Sequence, residues 1–451
     1  MHTSQQVTPR SARGGRDIFL DVIRAGAILA VIAQHWIMPV LSYSNGHLET
    51  GNALATPGWW IVTWMSQVMP LVFFAGGAAN LISFSRADSP RTWLAARLRR
   101  LMLPVLPLIA VWLVVPDLLR GLGVPDQPLQ VASAIAAQLL WFLAVYVLIV
   151  LLTPLMVAAH RRWGLRVPLV MAAAGVLVDV ARFNDLGMIG YANAVFVWVA
   201  VHQLGFHYVD GGLGSLGRRG ALALSAAGFG VTALMVAFGP YPASMIGMPG
   251  APVSNMSPPT VLLAFLAVGQ IGLLLAFRPQ LTRFAARPLP GAALRWIGPR
   301  FMSVYLWHMP ALIVVSGITV YALGYSTPTP GSIEWVAITP VWVAGCAAVL
   351  GLLLRAFSQF ESLRDRTVST ARLPQLVLAG LLISAGLLGL AAHGFAPLSD
   401  GIAHGPVPWV ALAACGFLLA GKRVPVTRLG TQFLGRATVI AGNTQEAAVK
   451  R

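Results

Sequence analysis

Long apolar runs are the feature of this sequence that most restricts its fold. Twelve of them follow one another along the chain, and most are roughly 18 to 25 residues long, enough to cross a hydrocarbon layer about 30 Å thick. They are apolar on all faces, as membrane-spanning helices are. The runs occupy residues 18–40, 59–84, 101–123, 131–158, 167–182, 190–207, 219–239, 259–277, 300–323, 334–357, 373–392 and 406–421.

Composition supports the same class of protein. Only 10% of the 451 residues are charged and 57% are hydrophobic, whereas about 25% of a soluble domain is charged. The polar segment 1–16 has neither the apolar core nor the cleavage site of a signal peptide, so 18–40 is expected to be a retained helix.

The predicted fold class is all-α: a polytopic transmembrane helix bundle with a ten-helix core and two C-terminal helices. Its predicted parts are an N-terminal tail 1–17, the core 18–357, a cytoplasmic linker 358–372, an additional helix pair 373–421 and a tail 422–451. No soluble catalytic domain is recognisable, so chemistry is expected inside the membrane block. The uncharged, proline-rich loop 240–258 is either a lid or a plain linker.

Positive charge is distributed unevenly between the loops. With the N-terminus in the cytoplasm, only Arg120 and Arg182 of the 31 Lys and Arg residues fall outside, which is the pattern of the positive-inside rule. The net charge of +17 therefore indicates contact with anionic lipid and not with nucleic acid. We expect a multi-pass protein of the cell membrane, inner or plasma, with a cytoplasmic N-terminus.

The first run carries titratable and charged side chains on one face. Arg24 and His35 lie eleven residues apart, which is three helical turns with about 20° left over. Asp21, one turn before Arg24, can pair with it. Because such residues are costly inside a membrane, we interpret Arg24 as a functional cation and His35 as an acid–base group about 16 Å further along the helix. The alternatives are a snorkelling Arg24 and a hydrogen-bonded interhelical His35.

Three arginines, Arg97, Arg99 and Arg100, precede the Leu103-Pro104 that opens the third helix. Guanidiniums at a helix mouth either clamp phosphates or anchor the cytoplasmic end of the helix, and the spacing alone does not decide between these roles.

In the ninth run His308 has apolar surroundings and needs a polar partner, and Tyr305 lies one turn earlier on the same side. No cluster has convincing metal-ligand spacing, so no metal is expected. The two cysteines, Cys346 and Cys415, are expected to be packing residues without a disulfide.

Five motifs, in this order, resemble those of the membrane acyltransferase 3 family. The first helix has the family's Asp-x-x-Arg followed after ten residues by a His, here Asp21, Arg24 and His35. The remaining motifs are Phe73-Phe74-Ala75-Gly76-Gly77, Arg97-Leu98-Arg99-Arg100 with Leu103-Pro104, Trp141-Phe142-Leu143, and Trp296-Ile297-Gly298 with Tyr305-Leu306-Trp307-His308. Ala75 stands where the family commonly has Ser. The resemblance covers about residues 16 to 311 and does not extend to 373–421.

The resemblance implies an O-acyltransferase that takes an acyl group, expected to be acetyl, from cytoplasmic acyl-CoA. The implied acceptor is a hydroxyl of a glycan, a lipid-linked sugar or a secondary metabolite. His35 would be the catalytic histidine and Arg24 its essential partner, with Asp21, Tyr305 and His308 in support. Arg97, Arg99 and Arg100 would face the donor phosphates. Acetyl-CoA or another acyl-CoA is thus expected as a substrate, and no cofactor is expected to be tightly bound.

Two rival interpretations remain open from the sequence. Twelve helices and intramembrane Asp, Arg and His also occur in proton-coupled secondary transporters, although we find no repeated halves with paired broken helices. A non-catalytic flippase or assembly subunit could also retain the fold.

Overall fold

The computed structural model describes residues 17–362, 367–369, 371–395, 405–421 and 423–425. The predicted N-terminal tail up to residue 16 lies outside the described residues. So do most of the predicted C-terminal tail and part of the linker 358–372.

Most of the described chain is helical. They are α1 Ile18–Ile37, α2 Thr63–Ser66, α3 Met69–Phe84, α4 Pro90–Met102, α5 Val105–Gly121, α6 Asp126–Gln138, α7 Leu140–Trp163, α8 Arg166–Phe183, α9 Asn193–Val209, α10 Arg218–Phe238, α11 Leu262–Ala276, α12 Arg278–Ala285, α13 Pro288–Ile297, α14 Phe301–Ser316, α15 Ile333–Phe357, α16 Gln359–Ser362, α17 Leu373–His393 and α18 Val407–Leu419. The short 3-10 segments are Ala53–Ala55, Trp59–Val62, Gly187–Ala192 and Gly298–Arg300, and a π-helical turn, Gly317–Ala322, extends α14. The strands are β1 Pro39–Ser44, β2 His47–Asn52, β3 Thr367–Ser369 and β4 Arg423–Pro425.

Every one of the twelve predicted runs coincides with helical structure, so the predicted all-α membrane bundle is confirmed. Within the described residues nine helices are long and apolar enough to cross a membrane, and the pair α11 and α12, bent by 65°, would be a tenth. The helices at two predicted runs, 167–182 and 406–421, do not meet this criterion. The first, α8, has 18 residues but includes the charged Arg166, Asp179 and Arg182, and the second, α18, has only 13 residues. The chain is a multi-pass membrane protein.

Local sequence signals fix both ends of α1. The Oδ1 atom of Asp17 accepts hydrogen bonds from the backbone N–H groups of Phe19 (2.9 Å) and Leu20 (3.3 Å), which caps the helix at its start. The helix ends at Ile37 with Met38 as its C-cap, because Pro39 has no backbone N–H with which to continue the helical hydrogen bonds. We call the end of the bundle where α1 begins the proximal end and the opposite end the distal end.

A β-hairpin at the distal end is the main departure from an all-helical chain. Strands β1 and β2 pair antiparallel, with Asn45 and Gly46 at the turn, both with positive φ. The Asn-Gly dipeptide is a strong hairpin signal. The hairpin is joined to the bundle because the backbone N–H of Leu41 donates to Thr327 Oγ1 at 2.7 Å and that of Leu48 to Gln127 Oε1 at 2.9 Å.

Close contact between α3 and α9 forms part of the core. A Cβ atom placed on Gly77 would overlap the carbonyl oxygen of His202, and one placed on Gly205 would overlap that of Phe74. Glycine at these two positions therefore allows the backbones to touch, as small residues do between membrane helices.

We expect Gly77→Ala to lower the free energy of unfolding by about 1–3 kcal/mol, because the added methyl group forces α3 and α9 apart. Gly26→Ala in α1 is the matched control, since nothing lies within 4 Å of a Cβ at that position. The thermal unfolding midpoints of the two variants in detergent measure the effect. Equal midpoints for the two variants would contradict the close packing.

The first of the two C-terminal helices, α17, packs on the core through the fourth predicted segment. Ser384 Oγ of α17 donates to the carbonyl oxygen of Ala144 in α7 at 3.0 Å. The backbone N–H of Phe395, just after α17, donates to the carbonyl oxygen of Ser133 in α6 at 3.4 Å.

The loop 240–258 packs against the start of the second predicted segment. The backbone N–H of Met245 donates to Thr63 Oγ1 at 2.8 Å, and Trp64 Nε1 donates to the carbonyl oxygen of Ala243 at 2.9 Å. Because this loop lines neither of the two cavities described below, the structure favours the linker interpretation over the lid.

Candidate active site

Two cavities open along α1 at different depths. The arginine cavity lies at the proximal end, has a volume of about 910 Å³ and includes Arg24 in its wall. The histidine cavity lies toward the distal end, has a volume of about 620 Å³ and includes His35. The two cavities share no lining residue among those described. The face of α1 that carries Arg24 and His35 therefore borders two separate cavities.

Guanidinium groups dominate the arginine cavity. Six arginines line it, and they come from α1, α3–α4, α7 and α12: Arg24, Arg86, Arg97, Arg100, Arg161 and Arg278. Four acidic residues, Asp17, Asp21, Asp210 and Glu361, and His160 also line it. An excess of planar, permanently charged donors suits a ligand that carries several phosphates.

Neighbouring groups hold two of these arginines in place. A terminal nitrogen of Arg97 donates to Ser83 Oγ at 3.0 Å and to the carbonyl oxygen of Ala79 at 3.4 Å. The guanidinium of Arg24 lies over the ring of Phe301, 5.0 Å from its centroid.

Two of the acidic residues are engaged by the fold itself. Glu361 accepts hydrogen bonds from the backbone N–H groups of Met302 (3.0 Å) and Ser303 (2.8 Å) and from Ser303 Oγ (2.7 Å), and thus caps α14. Asp17 caps α1 and also accepts from Tyr208 Oη at 2.9 Å. The oxygens of these two carboxylates thus already serve as acceptors for the fold, which leaves fewer acceptor positions for the arginines.

Arg99 lies apart from the other two arginines of its predicted cluster. It does not line the arginine cavity; its side chain is buried, and its guanidinium lies 5.8 Å from the ring centroid of Phe417 in α18. The reason is helical geometry, because positions 97 and 100 share a face whereas 99 points about 100° away from 100. The resemblance implied that all three arginines face the donor phosphates, and the structure brings only Arg97 and Arg100 together in the arginine cavity.

His35 forms a hydrogen-bonded pair with His308. The Nδ1 atom of His35 is 2.9 Å from Nε2 of His308, and the ring planes are parallel within 2°. On its other side, Nδ1 of His308 is 2.6 Å from the backbone carbonyl oxygen of Tyr305. The polar partner that His308 needs is thus His35, and Tyr305 contributes its backbone carbonyl.

This chain of contacts fixes the tautomers of both rings. A carbonyl oxygen only accepts, so His308 Nδ1 carries a hydrogen and donates it to Tyr305. His308 Nε2 is then the acceptor for the N–H at Nδ1 of His35, if both rings are neutral. The Nε2 atom of His35 is left with a lone pair and has no hydrogen-bond partner among the described residues. An imidazole held in this way is arranged to accept a proton.

Tryptophans of α1 and α15 hold the pair in position. Trp36 Nε1 donates to the carbonyl oxygen of His308 at 2.9 Å, and Trp342 Nε1 donates to that of Trp36 at 2.9 Å. The hydroxyl of Tyr305 donates to the carbonyl oxygen of Leu139 at 2.6 Å. Helices α1, α14, α15 and the α6–α7 junction are therefore joined around the two imidazoles.

The α6–α7 segment borders both cavities. Phe142 lines the arginine cavity, and its ring centroid is 5.4 Å from that of Tyr305. Gln138, one turn earlier in the chain, lines the histidine cavity. Neighbouring positions of this segment therefore face different cavities.

Sequence reasoning missed several members of the arginine cavity. Arg86, Arg161 and Arg278 figured only as loop charges of the positive-inside pattern, and Glu361 was unnoticed. No spacing signal was available, because these residues come from separate loops and helix ends that only the folded bundle brings together.

The fold and the paired cavities define a class of protein: a multi-pass membrane protein with a cluster of cations and a hydrogen-bonded imidazole at two depths of one helix. A family model described as an acyltransferase domain, of type 3, matches residues 17–355. The chain belongs to the membrane acyltransferase 3 family, and it is an acyltransferase for groups other than aminoacyl groups. Searches of the curated proteins and of the solved structures found no match.

Proposed function

We propose that this acyltransferase moves an acyl group from cytoplasmic acyl-CoA to a hydroxyl of a glycan, a lipid-linked sugar or a secondary metabolite. The proposed setting is the inner or plasma membrane, with the N-terminus and the proximal end of the bundle in the cytoplasm. One observation carries the proposal: a single helix, α1, gives an arginine to a phosphate-suited cavity and an oriented imidazole to a second cavity further along.

The arginine cavity suits the phosphates of coenzyme A. Its pyrophosphate and 3′-phosphate would meet Arg24, Arg97 and Arg100, with Arg86, Arg161 and Arg278 further around the wall. The flexible arm between the phosphates and the thioester would extend from the arginine cavity toward the histidine cavity and bring the thioester to His35.

In the proposed reaction, His35 Nε2 takes the proton of the acceptor hydroxyl as its oxygen attacks the thioester carbon. The new ester C–O bond forms, the C–S bond breaks, and coenzyme A leaves as a thiolate that receives the proton from His35. The hydrogen bond from His35 Nδ1 to His308 orients the ring and stabilises the imidazolium formed during the transfer.

His308 is a positioning residue in this account, and His308→Phe is expected to lower kcat about 10- to 100-fold while donor KM stays nearly constant. The phenyl ring removes the acceptor for His35 Nδ1–H, and a hydrogen bond of this kind, strengthened when His35 is charged, is worth about 1.5–3 kcal/mol. His308→Asn keeps a carbonyl acceptor and should recover part of the loss. If both variants lost the same activity, or if KM rose instead of kcat falling, His308 would have a different role.

Turnover by the purified protein tests the whole proposal. The protein in nanodiscs would be incubated with radiolabelled acyl-CoA and with membranes of cells that lack it. We expect alkali-labile label in a membrane glycan, lipid or metabolite fraction, together with release of free CoA. Label that stayed in acyl-CoA would contradict the proposed function.

A further inference from the structure

The walls of the histidine cavity are almost entirely apolar. Among the described residues, no charged side chain lines its 620 Å³. Its polar side chains, apart from tryptophan, are His35, Thr50, Gln138, Ser316 and Tyr321. Much of the rest of the wall is aliphatic or aromatic, with contributions from α5, α6, α14 and the hairpin. A space of this kind stabilises buried hydrocarbon and penalises buried hydroxyls that lack partners.

The orientation of the bound acyl-CoA determines which part of it lies in the histidine cavity. If the phosphates bind in the arginine cavity and the thioester carbon reaches His35 Nε2, the sulfur is on the proximal side of that carbon. The alkyl part of the acyl group must then extend away from the sulfur, into the histidine cavity. A sugar acceptor needs only its reacting hydroxyl at His35, because so few groups of the wall could bond the others.

We infer that the histidine cavity binds the alkyl chain of the acyl group, and that this enzyme prefers acyl groups of about four to eight carbons over acetyl. The inference rests on the proposed function and deepens it. An acetyl group would leave most of the cavity without an apolar occupant, whereas each methylene added in contact with the wall contributes favourable burial.

Side chains on α6 form one long wall of this cavity. Val131, Ala132 and Ile135 line it at helical spacing, and Trp112 of α5 also lines it. Ala132 is the smallest of these side chains, so a larger residue there should shorten the space for the chain. Trimming Ile135 should lengthen it.

The test is the ratio of the dissociation constants of acetyl-CoA and octanoyl-CoA for the full-length protein in nanodiscs, with empty nanodiscs subtracted. Each buried methylene contributes up to about fourfold, so we expect octanoyl-CoA to bind at least tenfold more tightly. Ala132→Phe should bring the ratio close to one, and Ile135→Ala should move the optimum toward longer chains. Val114→Phe is the matched control, because Val114 is 61% exposed on α5 and does not line the cavity.

A ratio near one in the wild type would overturn the inference. So would Ala132→Phe and Ile135→Ala variants that keep the wild-type ratio, or that change only the affinity for an acceptor. Failure of the proposed function has a different signature: Arg100→Ala would then leave the affinity for unacylated CoA unchanged. The Kd values for the two acyl-CoAs therefore test the inference, and the Kd values for unacylated CoA test the proposed function. If Ala132→Phe does not fold, Ile135→Ala still tests the inference.

Discussion

Acyl transfer by His35→Ala is expected to fall about 10²- to 10⁴-fold, the contribution of a general base. Among the described residues of the histidine cavity, the substitution removes the only imidazole, and the remaining polar groups of the wall are an amide, hydroxyls and two indoles. Initial rates of transfer from radiolabelled acyl-CoA in membranes measure the effect.

The matched control is His47→Ala. His47 begins strand β2, is exposed, and lines neither cavity, so its removal should leave the rate unchanged. Acyl transfer by His35→Ala at the wild-type rate would show that the imidazole of His35 takes no part in the reaction. A loss of equal size in His47→Ala would show that the assay reports something other than this site.

Arg100→Ala is expected to raise the KM for acyl-CoA about ten- to hundredfold, because a hydrogen bond to a charged group is worth about 1.5–3 kcal/mol. Arg100 is exposed and lines the arginine cavity, so its loss removes a phosphate contact without opening the core. The acceptor KM should change little. Steady-state kinetics with each substrate varied in turn measures both constants.

Two other arginines of α4 serve as controls. Arg91 is exposed and does not line the cavity, so Arg91→Ala should leave the donor KM unchanged. Arg99 is buried beside Phe417, so Arg99→Ala should lower the thermal midpoint more than it raises the donor KM. A donor KM that rose more in Arg99→Ala than in Arg100→Ala would place the phosphates on the other face of α4.

The helices of this chain could be predicted from sequence because apolar runs of membrane length have few alternatives. Each of the twelve runs became helical. The β-hairpin was not predicted, although its Asn45-Gly46 turn was a readable signal.

The candidate site was predictable where its residues share one helix. Arg24 and His35 were found from spacing alone, and the structure places both in cavity walls. The same reasoning could not show that they line separate cavities, because other helices contribute most of both cavity walls.

Contacts between distant segments were beyond sequence reasoning. Nothing in the spacing of one helix indicates that His308, 273 residues away, is the partner of His35. Helical geometry alone turns Arg99 away from Arg100, but the packing of Arg99 beside Phe417 depends on the position of α18, which lies beyond the region that resembles the family. Such pairs are set by the packing of whole helices.

The most direct test of the central claim compares CoA release with CoA binding in the same purified samples. The wild-type protein and His35→Ala, in nanodiscs, would be given acyl-CoA and a membrane acceptor fraction. The account predicts that His35→Ala binds CoA with wild-type affinity, because the arginine cavity is intact, yet releases CoA from acyl-CoA at least a hundredfold more slowly. Turnover at the wild-type rate by His35→Ala, with CoA bound normally, would contradict it.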